Sequence, residues 1–599
     1  MLLPVVIALI PLLIAPGLLF YFDVTPKILV LLIGVAVALP WFAPSRLMAR
    51  REGRWLAIVL AIQAVSLTLS TALSMRVSVS VLGTNWRRFG LIAQLATLLF
   101  AALAAADLAG NRRQLRLYLR AIAAAAIPIS IYGIAQYFGW DPWLPKEAYH
   151  IGEGIWTIVR PPGTLGYVSY FANYLVFAVF FGAALYSIDE GWWKRAGALA
   201  ATLAAFAIVL SGTRGAMVAL LGGAIYAAIG FRREIRARTV AISLGAIAAL
   251  ALFVASPAGQ MMRSRFRWYQ EDARGGARLL LFRDSLTFGA SHALMGIGPE
   301  AFSAEFPLVQ SADLSRAYPD FYHESPHNIL LDALTAQGIP GLLALAALVG
   351  LGFYSARRSQ RAEPALATIL GACLLAGFIA HQFTVFTAPT AVYFYLVVAM
   401  LVALGLDNVR ASRLPWFAAI PVSGVLLVFA ARLLIADWEL ERVKADLTAG
   451  NRQAAILRYN RVRSLGLNAD IWYSNQMAAQ ALRAPEIVEK LKSWQQALES
   501  GVRAGTTADD PHNAWYNLSS LYARENQFDA TERSLRRAIS SSPTWFKPHW
   551  MLAQVLMTRG RRDEARSEAQ LAANLDGGKN PEVSKTLEEI EAQVQAKDK

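Results

Sequence analysis

A chain of 599 residues that is 56% hydrophobic but only 17% charged falls well below the roughly 25% charge of soluble domains, which excludes an ordinary soluble enzyme of this size. The formal net charge of +15 sits mainly in short loops between apolar runs, where it sets membrane orientation and does not mark a nucleic-acid surface. The single cysteine, Cys373, lies inside an apolar run, so neither an intrachain disulfide nor a thiolate metal site is open to the chain.

Apolar runs long enough to cross ~30 Å of hydrocarbon recur through residues 1–436. In chain order they cover 3–22, 28–43, 55–73, 89–108, 118–139, 167–187, 196–212, 215–231, 239–255, 328–354, 365–386, 389–406 and 415–436, thirteen spans in all. The first lacks a basic leading region and a small-residue cleavage site, so it reads as a retained span and not a signal peptide. Alternate loops carry Arg46, Arg50, Arg51 and Arg54; Arg112, Arg113, Arg116 and Arg120; Lys194 and Arg195; Arg232, Arg233, Arg236 and Arg238; Arg357, Arg358 and Arg361; and Arg410 and Arg413. The positive-inside rule places these loops and the N-terminus in the cytoplasm. Loops 74–88, 140–166 and 256–327, with everything after 436, then face outward. A single helix across Gly212-Thr213-Arg214-Gly215 would reverse that parity, but the downstream loop charges argue against it.

The outward segments are nonetheless rich in arginine: Arg76, Arg87, Arg88, Arg160, Arg214, Arg263, Arg265, Arg267, Arg274, Arg278, Arg283 and Arg316. A planar guanidinium fork suits phosphate oxygens, so these residues point to an anionic partner beside a membrane cavity. For those in 263–274 the plainer reading is contact with lipid phosphates or loop acids. Arg214, flanked by small residues between two spans, either faces a polar cavity or reaches to head groups.

A dense polar cluster, His323-Glu324-Ser325-Pro326-His327-Asn328, abuts the span 328–354. A histidine there is wet on one side and desolvated on the other, which moves its pKa and suits it to proton exchange. Pro326 disfavours a regular helix through Ser325, and no third ligand accompanies the two histidines, so a metal site is not expected. No phosphate-binding loop is present, and Gly296-Ile297-Gly298 lacks the strand–turn–helix context of a nucleotide fingerprint. No outward carboxylate pair stands out as a glycosidase pair, and His381 reads as a packed or cavity-lining residue.

From 437 to 599 the chain turns polar, helical in pattern and balanced in charge. Trp515, Leu518, Tyr522, Thr531, Leu535, Ala538 and Pro543 fall at tetratricopeptide-repeat positions, and a shift of 34 gives His549, Leu552, Leu556, Ala565, Ala569, Ala572 and Gly577. Asn526 maps onto Gly560 at the inter-helix turn. The repeats are clearest over 512–577 and read as a surface for protein partners, with a passive helical cap as the alternative.

The ordered stretches Arg-Pro-Pro-Gly-Thr-Leu-Gly (160–166), Ser-Gly-Thr-Arg-Gly-Ala (211–216), Gly-Ala-Arg-Leu-Leu-Leu-Phe (276–282), Gly-Ile-Gly-Pro-Glu-Ala-Phe (296–302) and His-Glu-Ser-Pro-His-Asn-Ile-Leu-Leu (323–331) resemble the O-antigen ligase and polymerase superfamily, which includes bacterial protein O-oligosaccharyltransferases. The resemblance spans about 20–410. It implies an all-α, GT-C-like polytopic fold over 1–436, with the large periplasmic loop 256–327, in the bacterial inner membrane, followed by a periplasmic repeat domain. It also implies an inverting glycosyltransferase that uses an undecaprenyl-pyrophosphate-linked glycan without metal or other cofactor. By position, Arg214 and Arg278 would bind the donor pyrophosphate and His327 would activate the acceptor hydroxyl. His323, Arg160, Arg283 and Glu324 would support them, the role of His323 being open. The acceptor is a lipid for a ligase, a lipid-linked glycan for a polymerase, or a protein. A polysaccharide flippase would need mid-span charges along a through-path, and these are few. A pure scaffold would leave His327 and the outward arginines without a task.

Overall fold

The computed structural model describes residues 2–18, 23–151, 157–232, 251–264 and 278–598, with the isolated positions 245, 248, 249 and 276. It is all-α in both its membrane part and its tail. Among the described residues the only strands are His150–Ile151 and Ile158–Val159, a short antiparallel pair.

Helix Ala388–Ala403 is the axis of the membrane part. Its sequence is apolar on every side and all 16 residues are buried, as expected of a helix with no polar stripe. Thr387 and Thr390 form a capping box at its start. Around it pack Leu91–Leu108, Val168–Ile188, Ile329–Ser359 and Pro364–Ala380. Helices Val168–Ile188 and Gly191–Ser211 approach closely because Gly182 faces Gly197. A Cβ on either would lie 2.7 Å from the other's carbonyl oxygen.

Seven helices among the described residues are long and apolar enough to cross a membrane, and five shorter apolar ones accompany them. These twelve correspond to twelve of the expected runs. The remaining run, 239–255, lies mostly outside the described residues, as do Arg233, Arg236, Arg238, Arg265, Arg267 and Arg274. The runs predict helix ends less well. Among its described residues the first is helical over Leu2–Leu12, too short to span, and Thr164 Oγ1 and Lys27 Nζ donate to the Pro11 and Leu13 carbonyls just where it stops. The run 365–386 stops being helical at Ala380, because the turn after it bonds to the start of helix Ile329–Ser359. Gly191–Ser211 and Arg214–Gly230 are two helices, separated by Gly212 in the left-handed region (φ 58°) and an extended Thr213.

One end of the bundle gathers the basic loops. There Arg50 pairs with Asp407 at 2.5 Å, Arg120 with Asp189 at 2.7 Å and Arg358 with Glu52 at 2.9 Å, and Arg112 pairs with Glu363. The opposite end gathers 74–90, 140–151, 157–166 and 278–328.

The expected boundary at 436/437 falls inside one continuous helix, Trp416–Thr448. Thr25 Oγ1 donates to the buried Asp437 at 2.6 Å, pinning that helix to the membrane part. Beyond it, Asp470–Arg483 packs on Ile487–Thr507, Pro511–Arg524 on Phe528–Ser541, and Phe546–Thr558 on Arg562–Asp576. Asn526 (φ 55°) and Gly560 (φ 75°) take the left-handed turns within the last two pairs.

Candidate functional site

The site grows from the corner Pro326-His327-Asn328. His327 has φ 52°, a costly conformation for a residue with a Cβ. Its two successors in the chain anchor it. Asn328 caps helix Ile329–Ser359, its Oδ1 accepting from the Leu330 N–H at 2.9 Å and the Leu331 N–H at 3.2 Å. Its amide donates to Gln382 Oε1 at 3.0 Å, and the Ile329 N–H donates to the His381 carbonyl at 3.0 Å. The turn after Pro364–Ala380 therefore fixes the corner from below. His327 Nδ1 lies 3.4 Å from Ser325 Oγ.

His327 is a shared wall of two cavities. The first, of about 540 Å³, is lined by Arg160, Arg214, Arg278, His323 and His327, with Tyr167, Tyr318 and Phe321. Arg214 and Arg278 are each the first residue of a helix, Arg214–Gly230 and Arg278–Ser291. Two helix N-termini, each led by a guanidinium, thus meet in one space, the arrangement that favours anions. Arg160 stacks over Tyr167, 5.6 Å from the ring centroid, and its Nη2 donates to the Tyr167 hydroxyl at 3.3 Å. Its buried Nε makes no hydrogen bond within the protein.

The second cavity, of about 380 Å³, shares His327, Tyr167 and Phe321 but is otherwise different. Val24, Ile28, Leu165, Ala388 and Pro389 give it apolar walls, and Asp23, Lys27, Arg87 and Glu324 are its charged members. Arg87 is fixed by a buried ion pair with Glu300 at 2.8 Å. Glu300 is in turn held by the Thr84 hydroxyl at 2.7 Å and the Thr84 N–H at 3.2 Å. Arg88, Glu300 and His327 are three of the four non-glycine residues with positive φ among those described. Strained backbone is therefore concentrated in the segments that build this end of the molecule.

The electrostatics follow from burial. His327 is pushed down to about 4 by desolvation, and the neighbouring His323, Arg278 and Arg87 act in the same direction. His323 is also lowered to about 4 by burial, and neither of its ring nitrogens has a hydrogen-bond partner among the described residues. It sits among rings, 5.3 Å from Phe321 and 6.2 Å from Phe306 between centroids. Burial raises the Glu324 carboxyl, and Arg87 partly offsets that.

Of the residues singled out in the sequence, Arg160, Arg214, Arg278, His323 and His327 come together in one cavity. Glu324 joins His327 across the wall. Arg283 lines neither cavity: it bonds Asp284 Oδ1 at 2.9 Å and Ser311 Oγ at 2.8 Å within its own loop. Sequence reasoning did not assign roles to Arg87, Glu300 and Tyr167. A run of Trp86-Arg87-Arg88 in a loop expected to be poor in positive charge was the available signal for the first. Among the described residues, no three His, Cys, Asp or Glu side chains are grouped so as to hold a metal ion.

The family model for O-antigen ligase matches residues 199–346. That stretch includes Arg214, Arg278 and the whole corner from His323 to Asn328. Arg160 and the tail lie outside it. Over that stretch the chain is similar to the O-antigen ligase and polymerase superfamily. A search of curated proteins finds no match.

The tail also reaches this end. The Asn85 N–H donates to Asp509 Oδ2 at 3.2 Å, Ser303 Oγ to the Asp509 carbonyl at 2.9 Å, and Arg76 Nη1 to the Thr506 carbonyl at 3.0 Å. Burial pushes the carboxyls of Asp509 and Asp510 up.

Proposed function

We propose that this protein transfers a glycan from an undecaprenyl-pyrophosphate carrier to an acceptor hydroxyl at the periplasmic face of the inner membrane, as an O-antigen ligase. One observation carries the reading: His327 stands in the partition between an arginine-lined cavity and a more apolar, acid-bearing one. The pyrophosphate occupies the first, held by Arg214 and Arg278, with Arg160 alongside. The acceptor enters the second. The acceptor oxygen attacks the anomeric carbon and its proton passes to His327 Nε2. The bond from the anomeric carbon to the phosphate oxygen breaks, and the pyrophosphate leaves with its growing charge held by the arginines. A single displacement inverts the anomeric centre. No metal is needed in this scheme, because two guanidinium groups and two helix N-termini meet the developing charge.

The depressed pKa of His327 keeps it unprotonated at the cost of basicity. The imidazole is neutral and ready to accept a proton at pH 7. A bound pyrophosphate opposes the field of Arg278 and Arg87 and so strengthens the base when the donor is in place. His323 has no partner to relay a proton to, and it serves as a neutral wall.

The sidedness rests on the positive-inside rule, and the gathering of basic loops at the end opposite the cavities supports it. We further propose that the C-terminal helix pairs are tetratricopeptide repeats, supported by the equivalent left-handed turns at Asn526 and Gly560. In this scheme the repeat domain lies in the periplasm.

The test is transfer in proteoliposomes with a lipid-linked glycan donor and a lipid A–core acceptor. The wild type is expected to form the glycosylated lipid, and His327→Ala to lose about 10²–10⁴-fold in rate while still binding donor. Full activity in the variant would remove the base assignment. Glycan polymer, or glycosylated protein, in place of the lipid product would reassign the acceptor.

A further inference from the structure

A third, smaller recess lies between the loop 307–322 and the C-terminal helices, enclosing about 40 Å³. It adjoins the arginine cavity, with Tyr318 and Phe321 lining both. These two large rings are 37% and 57% exposed at the junction, where burial against each other's neighbours would be the ordinary outcome. From the junction the rings continue outward onto the tail. Tyr322 lies 5.8 Å from His512, and His512 lies 5.6 Å from Trp545, between centroids. Inward, Phe321 leads to His323 and the cavity floor.

Polar groups stand among these rings. Gln310, Asp320 and Asn513 line the same recess. His512 is only 3% exposed and its Nδ1 is buried without a partner. Both walls are fixed. Lys547 pairs with Asp320 at 2.7 Å, Arg316 Nη2 donates to Asn574 Oδ1 at 2.6 Å, and Lys579 Nζ donates to the Ala317 carbonyl at 2.6 Å. The recess is a joint between two parts of the chain that hold each other in place.

A sugar ring has one face of C–H groups and a rim of hydroxyls. The C–H face settles on the electron-rich face of an aromatic ring, and the hydroxyls need the amides, carboxylates and imidazole nitrogens found here. The enclosed volume holds a hydroxymethyl group or a few waters and is far smaller than a pyranose, so sugars would lie on the rings and project one substituent inward.

We propose that the cleft bounded by Tyr318, Phe321, Tyr322 and Trp545 binds the sugar chain of the donor where it emerges from the arginine cavity. This makes the tail part of the donor site. The assignment rests on reading that cavity as the pyrophosphate site. It also predicts a preference for donors that carry long glycans over donors that carry a single sugar.

The test compares two donors in proteoliposomes with the full chain, one polyprenyl pyrophosphate bearing a single sugar and one bearing a complete oligosaccharide repeat. Trp545→Ala is expected to lower kcat/KM for the long donor about tenfold, the scale of one lost stacking contact, Asn513→Ala to lower it by up to about tenfold, the scale of one lost hydrogen bond, and both to leave the short donor unchanged. Thermal unfolding of each variant checks that the chain remains folded. An equal loss with both donors would mean that the cleft only props the loop, and no loss with either would mean that it touches no sugar; both outcomes overturn the proposal. Saturation-transfer NMR with the free oligosaccharide on the detergent-solubilised full chain separates this idea from the transferase reading. Binding that Trp545→Ala abolishes, in a protein that transfers neither donor, would remove the transferase and keep the cleft. Transfer of the long donor without such binding would do the reverse.

Discussion

The two cavities on either side of His327 are built from opposite materials. One gathers three arginines and two helix N-termini, with Asn173, Thr213 and Thr384 also in its wall. The other is walled by aliphatic side chains and a proline, and its one arginine, Arg87, is bound to Glu300. A guanidinium neutralised by a buried carboxylate mainly shapes a wall and has little charge left for a phosphate. The difference teaches that arginine count alone does not locate an anion site; the carboxylates beside each arginine have to be counted as well. Arg278 and Arg87 both raise the local positive potential at His327, and Arg87 does so from within its ion pair with Glu300.

The comparison can be broken most sharply on the arginine side. Arg278→Ala is expected to slow transfer about 10²–10³-fold, the range for loss of one preorganised donor of this kind, with donor affinity falling and acceptor KM unchanged. A matching rise in acceptor KM would show that the two cavities are one. On the other side, Glu300→Ala leaves Arg87 buried and unpaired, an effect of about 3–5 kcal/mol on stability, to be read from the denaturant midpoint. An unchanged midpoint would mean that the pair is not holding the wall. Glu324→Gln keeps shape and removes charge. It is expected to raise acceptor KM about tenfold, the equivalent of about 1.4 kcal/mol, without altering donor affinity measured by titration.

The smallest effect concerns pH. His327 must be neutral to act as base, and its folded pKa is held at about 4, below the usual 6.5. Protonation therefore grows only as pH falls through about 4, so kcat/KM should stay level from pH 7 to about 5. An acid limb centred near 6.5 would mean that the imidazole is not desolvated. The same depression affects stability. His327, His323 and His512 all sit at about 4, so their burial costs nothing above the unfolded value of 6.5 and progressively destabilises the fold as pH drops from 6.5 towards 4. Buried Glu324 and Asp509, whose carboxyls are raised, act oppositely and lose their contribution as pH rises through their folded values.

Much of the membrane part was legible because its signals are long. An apolar run of span length is hard to disguise, and Asn328 and Pro326 announce a helix start beside a turn. The order of Arg214, Arg278 and His327 along the chain was legible too, through the segments that surround them. Helix ends were less legible, since they depend on partners distant in sequence. Leu2–Leu12 stops where Thr164 and Lys27 bind its last carbonyls, and neither belongs to its own run. Arg87 looked like any other outward arginine because Glu300, which neutralises it, lies in a different loop. Arg283 looked like a ligand of the site because one of its partners, Ser311, lies too far along the chain to suggest pairing, and a neighbouring Asp284 does not by itself announce a bond. The left-handed backbone at His327 carries no sequence mark, as it arises from the bonds that Asn328 and Ile329 make to the 381–382 turn.

Helix Trp416–Thr448 has a consequence of geometric phase. Its 33 residues form a rod about 50 Å long, of which hydrocarbon takes about 30 Å. With no break between membrane and tail, the compass bearing of the tail is set by the residue count, about 100° for each residue. One residue inserted after Asp437 would swing Asp509 and Trp545 a quarter-turn or more away from the loops they meet. Four would nearly restore the bearing but raise the tail by about 6 Å. The length of this rod is therefore as much a part of the site as any side chain in it.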